Sequence, residues 1–516
     1  MIKVVIGNSY SKIVGHLPDH VSEEIDLVLS YNCPGARFSK KFKEKKWDGK
    51  IRLFHKNRGQ SFYTGLLSLV TQVLTKHEIP FRKFDARVIP EKNIPFLEFM
   101  PPKGFQQREY QDFTISRAIS RTRGMLKIAT GGGKTLTTAQ LIGEIKTSPF
   151  MFYVLTQDLM EQAYDALSST LNVPIGRIGS GHFDIKDINV CTVQSVIRGL
   201  NYGQKFNISD YRFDEEDEWD SSDIFSYEKN TAIRKLLGAV KGLYLDESHH
   251  ASSKMCRDII EASPDAYWRF GGSATPFRED NAELILQGLF GRKIVDIDAS
   301  YLIDKGYLLT PYILFDPIHH EAVPNNYQSI YSKCITKNDD FHAHVAKTAN
   351  HLINRGLNVL VLVQRYAHGE ALKKLIPNAP FVTGKMSKKK RSQTIQDLRD
   401  KKIQCMIATT LADEGLDIPT LDVALLAGGG ASSTRVNQRV GRTLRVDRSS
   451  ANPRDKSIVV VYDHKAKHLN RHTKKTRKIL KMEKRFHLID SAGEDYILGE
   501  IDQIMETGKN STIFDI

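Results

Sequence analysis

A glycine-rich turn in the first third of the chain has the residue types and spacing needed to hold a phosphate chain. It reads Ala-Thr-Gly-Gly-Gly-Lys-Thr, follows the strand-like residues 125–128 and precedes an apolar helix start. Glycines let backbone N–H groups converge on phosphate oxygens, a lysine neutralises their charge, and a threonine hydroxyl can hold Mg²⁺. The pattern predicts phosphate binding by Thr130, Gly131, Gly132, Gly133, Lys134 and Thr135, although Ile128 stands where the general pattern has another glycine.

Two adjacent carboxylates, Asp246 and Glu247, follow the apolar residues 242–245. An aspartate at the carboxyl end of a strand can hold Mg²⁺, and the neighbouring glutamate can polarise an attacking water. Further along, the segment Gly-Ser-Ala-Thr-Pro begins at Gly272. The sequence therefore predicts ATP hydrolysis with Mg²⁺, with Lys134, Asp246 and Glu247 as catalytic residues and Thr135 and Asp246 as metal ligands.

The elements that position these residues repeat along the chain. Strand-like runs separated by helical segments occupy residues 152–155, 188–193 and 242–245, and again residues 359–363, 405–408, 423–426 and 458–462. This rhythm is typical of parallel α/β sheets. We predict an α/β fold with two tandem parallel-sheet domains, residues 105–320 and 335–516. A small α+β domain, residues 1–100, precedes them, with strand-like residues 2–6 and 51–54 and a helical pattern at 66–74.

Length, charge and cysteine content narrow the class of protein. A chain of 516 residues exceeds one hydrophobic core and suggests three or four domains of ordinary size. The formal charge of +14 and pI near 9.3 favour a polyanionic partner, because neutralised phosphates release condensed counterions. The scattered cysteines form no CxxC pair, and no targeting segment or membrane span is recognisable. We expect a cytoplasmic protein.

Between residues 105 and 450 the order of these segments resembles superfamily 2 helicases of the DExH type. The resemblance implies RecA-like motor domains and assigns the adenine-reading motif to Arg108 and Gln111. It places Ser273 and Thr275 in the motif that links hydrolysis to movement. The residues that hold the nucleic-acid backbone, by resemblance, are Gln157, Thr192, Gln194, Ser195 and Thr409. In the second motor domain the implied nucleotide contacts are Gly415, Asp417 and Gln438, with Arg442 and Arg445 as catalytic arginines at the γ-phosphate.

Within that superfamily the chain is most similar to the UvsW type of phage recombination helicases, related to RecG and XPB. The similar segments are Gly-Ala-Arg-Phe from Gly35, Trp-Asp-Gly-Lys-Ile-Arg-Leu from Trp47, and His368-Gly369. The resemblance implies remodelling of branched or double-stranded DNA through fork regression, junction migration and removal of RNA–DNA hybrids. We expect the protein to be a monomer. We expect Lys45, Lys46 and Trp47 of the N-terminal domain to contact DNA.

Three charged segments have a structural or a functional interpretation. Lysines and arginines between residues 37 and 58 surround Phe38, Phe42, Trp47 and Phe54. These cations and rings bind a branch point of DNA, or else the rings fill the core of the small domain and the cations keep the domain soluble. The basic run at residues 465–485 is either a rail for duplex phosphates or a solvated helix. The acidic residues between 210 and 223 are typical of a solvated loop.

Other functions also fit the motifs. The chain could unwind DNA or RNA from a single-stranded tail, which stimulation of ATP turnover by different polynucleotides would distinguish. It could instead be a nucleic-acid clamp that uses ATP only as a switch, although the complete set of catalytic residues disfavours this. A motor subunit of a restriction complex is a further alternative, but the flanking segments contain no nuclease constellation.

Overall fold

The computed structural model describes residues 1–33, 35–201, 226–252, 254–274, 283–321, 326–409, 418, 421–429, 440–441, 456–493 and 496–506. The chain divides into two compact units. One comprises Met1–Ile128 and Gly133–Asp296, and the other comprises Ile297–Ile516 with the short stretch Ala129–Gly132. Within the described residues, no helix is long and apolar enough to cross a membrane.

The N-terminal domain is built on a five-stranded sheet in the order β5-β6-β2-β1-β7. Its elements are β1 (Ile2–Ile6), β2 (Tyr10–Val14), α1 (Asp19–Val28), β3 (Ser30–Asn32), α2 (Lys40–Lys43), β4 (Lys50–Arg52), β5 (Phe54–His55), β6 (Ser61–Tyr63), α3 (Leu67–Lys76) and β7 (Phe81–Asp85). Alternate residues of β1 are buried, as expected for a sheet with one face on the core. The domain is α+β as predicted, but residues 51–54 contribute to two strands, because β4 pairs with β3 and β5 pairs with β6.

The first large sheet has eight strands in the order β11-β10-β12-β9-β13-β14-β8-β15. Its strands are β8 (Arg123–Ile128), β9 (Phe150–Val154), β10 (Ile175–Gly179), β11 (His182–Asp184), β12 (Ile188–Thr192), β13 (Gly242–Leu245), β14 (Trp268–Ser273) and β15 (Lys293–Ile297). The helices are α4 (Glu109–Arg121), α5 (Lys134–Ile145), α6 (Gln157–Thr170), α7 (Val193–Leu200), α8 (Tyr227–Ala239), α9 (Lys254–Glu261) and α10 (Glu283–Phe290). The central strands β9, β12 and β13 are buried throughout, as is usual for parallel strands covered on both faces.

The second large sheet has seven strands in the order β18-β19-β17-β20-β21-β16-β22. Its strands are β16 (Thr310–Ile318), β17 (Val359–Val363), β18 (Phe381–Val382), β19 (Cys405–Thr409), β20 (Val423–Leu426), β21 (Lys456–His464) and β22 (His487–Asp490). The helices are α11 (Ala299–Asp304), α12 (Tyr327–Tyr331), α13 (Asp339–Asn354), α14 (Tyr366–Leu375), α15 (Lys388–Arg399), α16 (Lys467–Leu480) and α17 (Ile497–Glu506). Strand β16 lies within the range predicted for the first parallel-sheet domain, yet it pairs with β21 and β22 of this sheet.

Candidate nucleotide-binding and hydrolysis site

The glycine-rich turn joins β8 to α5. Gly131 and Gly133 have φ angles of 82° and 75°, which glycine adopts at no steric cost. Gly133 is the N-cap residue of α5, so Lys134 and Thr135 form the first turn of that helix. The unpaired N–H groups and the positive end of the dipole at a helix N-terminus favour an anion. The turn therefore has the geometry that phosphate binding requires.

The lysine of this turn reaches the two carboxylates that follow β13. Its Nζ lies 2.9 Å from Glu247 Oε1 and 3.4 Å from Asp246 Oδ1, and all three side chains are largely buried. Glu247 has a φ of 50°, a left-handed conformation that is costly for a residue with a Cβ and that occurs most often at functional sites. The sequence prediction that Lys134, Asp246 and Glu247 share one site agrees with this geometry.

Burial and the lysine act in opposite directions on the carboxylates. Burial alone would raise the pKa of Glu247, but the charge of Lys134, followed by that of His249, outweighs it and lowers the pKa to about 2. Burial raises the pKa of Asp246, and the negative charge of Glu247 reinforces this shift against the opposing effect of Lys134. Glu247 is therefore ionised at neutral pH, as a residue that polarises water must be.

A histidine and a serine extend the site toward β14. His249 Nδ1 lies 3.4 Å from Glu247 Oε2 and 3.1 Å from the hydroxyl of Ser273, the last residue of β14. The Ser273 hydroxyl is itself 3.5 Å from Glu247 Oε2. The sequence predicts a role for Ser273 but assigns none to His249, although the position of this histidine two residues after Glu247 is a usable signal. The contacts connect the carboxylate to the strand that carries the predicted coupling motif.

The predicted adenine-reading residues lie at the start of α4. Gln111 is buried and its Oε1 accepts a hydrogen bond from the Arg108 backbone N–H at 3.0 Å. A Cβ placed on Gly133 would lie 3.4 Å from Gln111 Nε2, so this amide borders the glycine-rich turn. The Arg108 guanidinium donates to the Tyr110 hydroxyl at 3.0 Å. Contact of either side chain with a base stays a prediction.

The residues predicted to hold a nucleic-acid backbone differ in accessibility. Thr192 and Ser195 are buried, and their hydroxyls bond each other at 2.6 Å while Thr192 caps α7. Their side chains fix this turn, so a DNA contact here would use the backbone or the half-buried Gln194. Gln157 is half-buried at the first turn of α6. In the second unit Thr409 ends β19 with its side chain 9% exposed.

In the N-terminal domain, the three residues predicted to contact DNA have different surroundings. Lys45 is exposed, whereas Lys46 forms an ion pair with Glu44 at 2.9 Å. Trp47 is half-buried and its indole N–H donates to the Lys50 carbonyl at 2.8 Å. Several further predicted residues lie outside the described part of the chain: Thr275, Gly415, Asp417, Gln438, Arg442, Arg445 and the acidic segment at 210–223.

Three family models match successive parts of the chain. They are "DNA helicase UvsW, N-terminal" at residues 2–80, "Type III restriction enzyme, res subunit" at 104–278, and "Helicase conserved C-terminal domain" at 343–447. The second of these spans both halves of the site described above, from the start of α4 past Glu247. The order of the three matches parallels the order of the N-terminal domain and the two large sheets.

Individual relatives share the same layout. The chain is 27% identical over 409 residues to "Putative helicase 22" of Sulfolobus islandicus filamentous virus, covering 73% of this chain and 67% of the relative. It is 24% identical over 480 residues to "ATP-dependent DNA helicase uvsW" of Enterobacteria phage T4, covering 85% and 86%. Among solved structures, the ATP-dependent Type ISP restriction-modification enzyme LlaBIII bound to DNA matches with a TM-score of 0.52 at 14% identity, covering 79% of this chain and 32% of that one. This last likeness concerns the fold alone.

Proposed function

The chain belongs to helicase superfamily 2, and on that premise we propose that it is an ATP-dependent DNA helicase that remodels branched DNA. Its work would be fork regression, migration of four-way junctions and removal of RNA–DNA hybrids. Relatives named as helicases in a virus and a phage support a role in phage recombination and replication.

The arrangement around Lys134 supports the hydrolysis step. A γ-phosphate entering the turn would replace Glu247 as the anion beside the lysine, which would free the carboxylate to orient water. Thr135 and Asp246 are the residues that would hold Mg²⁺, which neutralises charge on the phosphates when bound. We further propose that Arg442 and Arg445 complete the site when the two motor domains close.

An exposed set of rings among cations supports the preference for branched DNA, and this observation carries the proposal. Phe38 is 71% exposed with the Arg37 guanidinium 4.9 Å from its ring centroid, and Phe42 is 38% exposed. Lys40, Lys41, Lys43 and Lys45 are exposed around them. Unpaired bases at a branch can stack on such rings while the cations bind phosphates. Phe54, in contrast, is buried in the domain core.

A pair of substitutions tests this assignment. Phe38→Ala with Phe42→Ala should weaken binding to a four-way junction by about 1–3 kcal/mol per stacked base and leave binding to linear duplex nearly unchanged. The matched control is Phe84→Ala. Phe84 lies on strand β7 of the same domain, and its exposed ring is next to the ammonium group of Lys3. The measurement is fluorescence anisotropy with both DNAs at one salt concentration. Equal junction affinity in the double variant and the control would contradict the assignment.

A further inference from the structure

Two arginines near the start of strands in the first large sheet have enclosed guanidinium groups that form no salt bridge within the described residues. Arg123 begins β8 and Arg269 is the second residue of β14. Arg269 is 2% exposed, whereas Arg123 is half-buried with its Nε and Nη1 atoms enclosed. Enclosing a cation is costly unless its donors find acceptors. The hydrogen-bond acceptors of these two side chains therefore identify the segments that must stay in place beside this sheet.

Arg269 bonds carbonyl groups of its own domain and a hydroxyl of the N-terminal domain. Its Nε donates to the Ala266 carbonyl at 2.8 Å, and its Nη2 donates to the Ser263 carbonyl at 2.5 Å. The same Nη2 donates to Ser9 Oγ at 2.6 Å. Ser9 lies in the turn between β1 and β2, so the guanidinium ties this turn to the start of β14.

Arg123 depends on the same turn more strongly. Its Nη2 donates to the backbone carbonyl of Asn8, while Nε and Nη1 have no partner among the described residues. Burial, followed by the positive charges of Arg269 and Arg87, holds the pKa of Arg123 well below its usual range. Asn8 Nδ2 also donates to the Asp265 carbonyl at 3.2 Å. Removing the turn would take away the one hydrogen-bond acceptor that this guanidinium has in the described part of the chain.

The two domains also meet through their backbones. A Cβ on Gly65 would overlap the carbonyl oxygens of Gln287 and Gly288, and a Cβ on Gly288 would lie 3.1 Å from the Tyr63 side chain. Tyr63 donates its hydroxyl hydrogen to Glu261. Buried apolar residues of both domains form one continuous core cluster. Glycines are required at these positions because the two backbone segments approach each other too closely to leave room for a side chain.

The strands that carry these arginines at their first or second residue end at the nucleotide site. Strand β8 runs from Arg123 to Ile128 and continues into the glycine-rich turn, while β14 runs from Trp268 to Ser273, which contacts His249. A displacement of the turn at Asn8 and Ser9 would therefore displace the starting residues of both strands. A packed core resists such continuous deformation.

We propose that the N-terminal domain and the first motor domain move as one rigid body through the ATP cycle, held together by Arg123 and Arg269. Resting on the proposed function, this means that the rings that meet the branch stay at a fixed distance from the nucleotide site. DNA held by Phe38 and Phe42 is then carried along with the first motor domain, without a hinge between the two.

Energy transfer between two dyes on the full chain tests the rigid body. With Cys33 replaced by serine, dyes are attached at Lys12→Cys on β2 and Lys235→Cys on α8, both exposed positions; the other cysteines are buried. The control pair, Arg121→Cys with Lys235→Cys, lies within the motor domain alone. Transfer efficiency is measured without nucleotide, with a non-hydrolysable ATP analogue and with a four-way junction. We expect both pairs to stay constant, and a shift in the Lys12 pair alone would overturn the proposal.

Substitution tests the arginines themselves. Arg269→Met in the Lys12 pair should broaden the distance distribution, because the Ser9 hydroxyl and the carbonyls of Ile260, Ser263 and Ala266 lose their donor. An unchanged narrow distribution would show that Arg269 does not hold the domains together. If that variant fails to fold, Ser9→Ala removes only the acceptor in the turn and answers the same question. ATP turnover of the labelled proteins on junction and linear duplex is recorded in parallel. A missing junction preference would contradict the proposed function, while the nucleotide measurements would still test the rigid body.

Discussion

Lys134 contacts the largely buried carboxylates of Asp246 and Glu247. Replacing Lys134 and replacing Glu247 should therefore have different effects on ATP turnover and on nucleotide binding. Glu247→Gln should reduce ATP turnover by a factor of at least about 10² while nucleotide binding persists, because only the activation of water is lost. Lys134→Ala should abolish both, because it removes the cation for the phosphates and leaves Asp246 and Glu247 buried without their partner. Turnover and the affinity for a fluorescent ATP analogue measure the two effects.

The control for this pair is Glu261→Gln, since Glu261 is a partly buried carboxylate of the same unit that contacts Tyr63 away from the turn. It should hydrolyse ATP at the wild-type rate. Turnover of Glu247→Gln close to wild type would remove Glu247 from the catalytic assignment. Loss of nucleotide binding in Glu247→Gln would give the side chain a binding role instead.

Two histidines of the second unit predict a loss of stability in acid. Burial, reinforced by the charge of His342, lowers the pKa of His368 to about 3, and burial with the charges of His320 and His368 lowers that of His464 to about 3. In the unfolded chain the pKa of each histidine is about 6.5, so below that pH the unfolded chain binds more protons than the folded one. Each histidine should therefore cost about 2 kcal/mol of stability at about pH 5, and the loss should grow toward pH 3.

Replacing one of these histidines checks the sign of the effect. His368→Leu should flatten the dependence of the melting temperature of the second unit on pH between about 7 and 5. The ring nitrogens of His368 have no hydrogen-bond partner among the described residues, so a leucine leaves no acceptor unpaired there. His16→Leu, at an exposed position, is the control. A pH dependence in His368→Leu as steep as in the control would contradict the burial argument.

At the scale of single elements, helix α16 presents its charges on one side. Leu469, Thr473 and Ile479 are among its buried residues, and the exposed cations follow a spacing of three or four: Lys467, Arg471, Lys474 and Lys478. Such a row can follow a phosphate backbone. Arg477 is not part of it, because its guanidinium pairs with Asp490 and lies 3.8 Å from the Phe315 ring centroid.

Charge reversal distinguishes a phosphate rail from a solvated helix. Arg471→Glu, Lys474→Glu and Lys478→Glu together should reduce the salt dependence of duplex binding by about 0.9 log units of slope for each phosphate that the helix no longer neutralises. The control reverses three exposed lysines elsewhere in the second unit, Lys333, Lys337 and Lys347, and changes the net charge equally. Equal slopes for the two triple variants would favour the solvated helix.

Buried parallel strands were the elements most accessible to sequence reasoning. The predicted residues 242–245, 359–363 and 423–426 coincide with β13, β17 and β20, because strands covered on both faces are continuous apolar runs. Strand β16 contains an apolar run at residues 312–315, but a run of this kind does not reveal which sheet it joins. The sequence predicts one strand at residues 51–54. The backbone N–H of Leu53 instead donates to the Leu29 carbonyl, and this residue separates the short strands β4 and β5.

The site could be predicted where local sequence encodes it and could not where it depends on distant contacts. The turn at Lys134 and the carboxylates at Asp246 are each contiguous and follow a strand. Arg123 and Arg269 carry no local signal, since their acceptors in the N-terminal domain lie more than a hundred residues away in sequence. These long-range partners become visible only when the chain is folded.

At the scale of the whole molecule, the shared core changes what removal of the N-terminal domain would do. Deleting residues 1–100 would expose apolar residues of the first motor domain that belong to the shared core cluster and leave the Arg123 guanidinium without its acceptor. We expect this truncated chain to melt at a lower temperature than the full chain or to aggregate, as scanning calorimetry would detect. A stable truncated motor with an unshifted melting transition would contradict this expectation. Point variants at Phe38 and Phe42 therefore test specificity more cleanly.

ATP turnover by the full chain on matched nucleic acids tests the central claim most directly. The substrates are a single strand, a linear duplex, a three-way fork, a four-way junction and an RNA–DNA hybrid of the same sequence and total length, with Glu247→Gln as the inactive reference. We expect the highest turnover at the lowest DNA concentration for the fork and the junction. Strongest stimulation by the single strand would contradict this expectation and favour unwinding from a single-stranded tail.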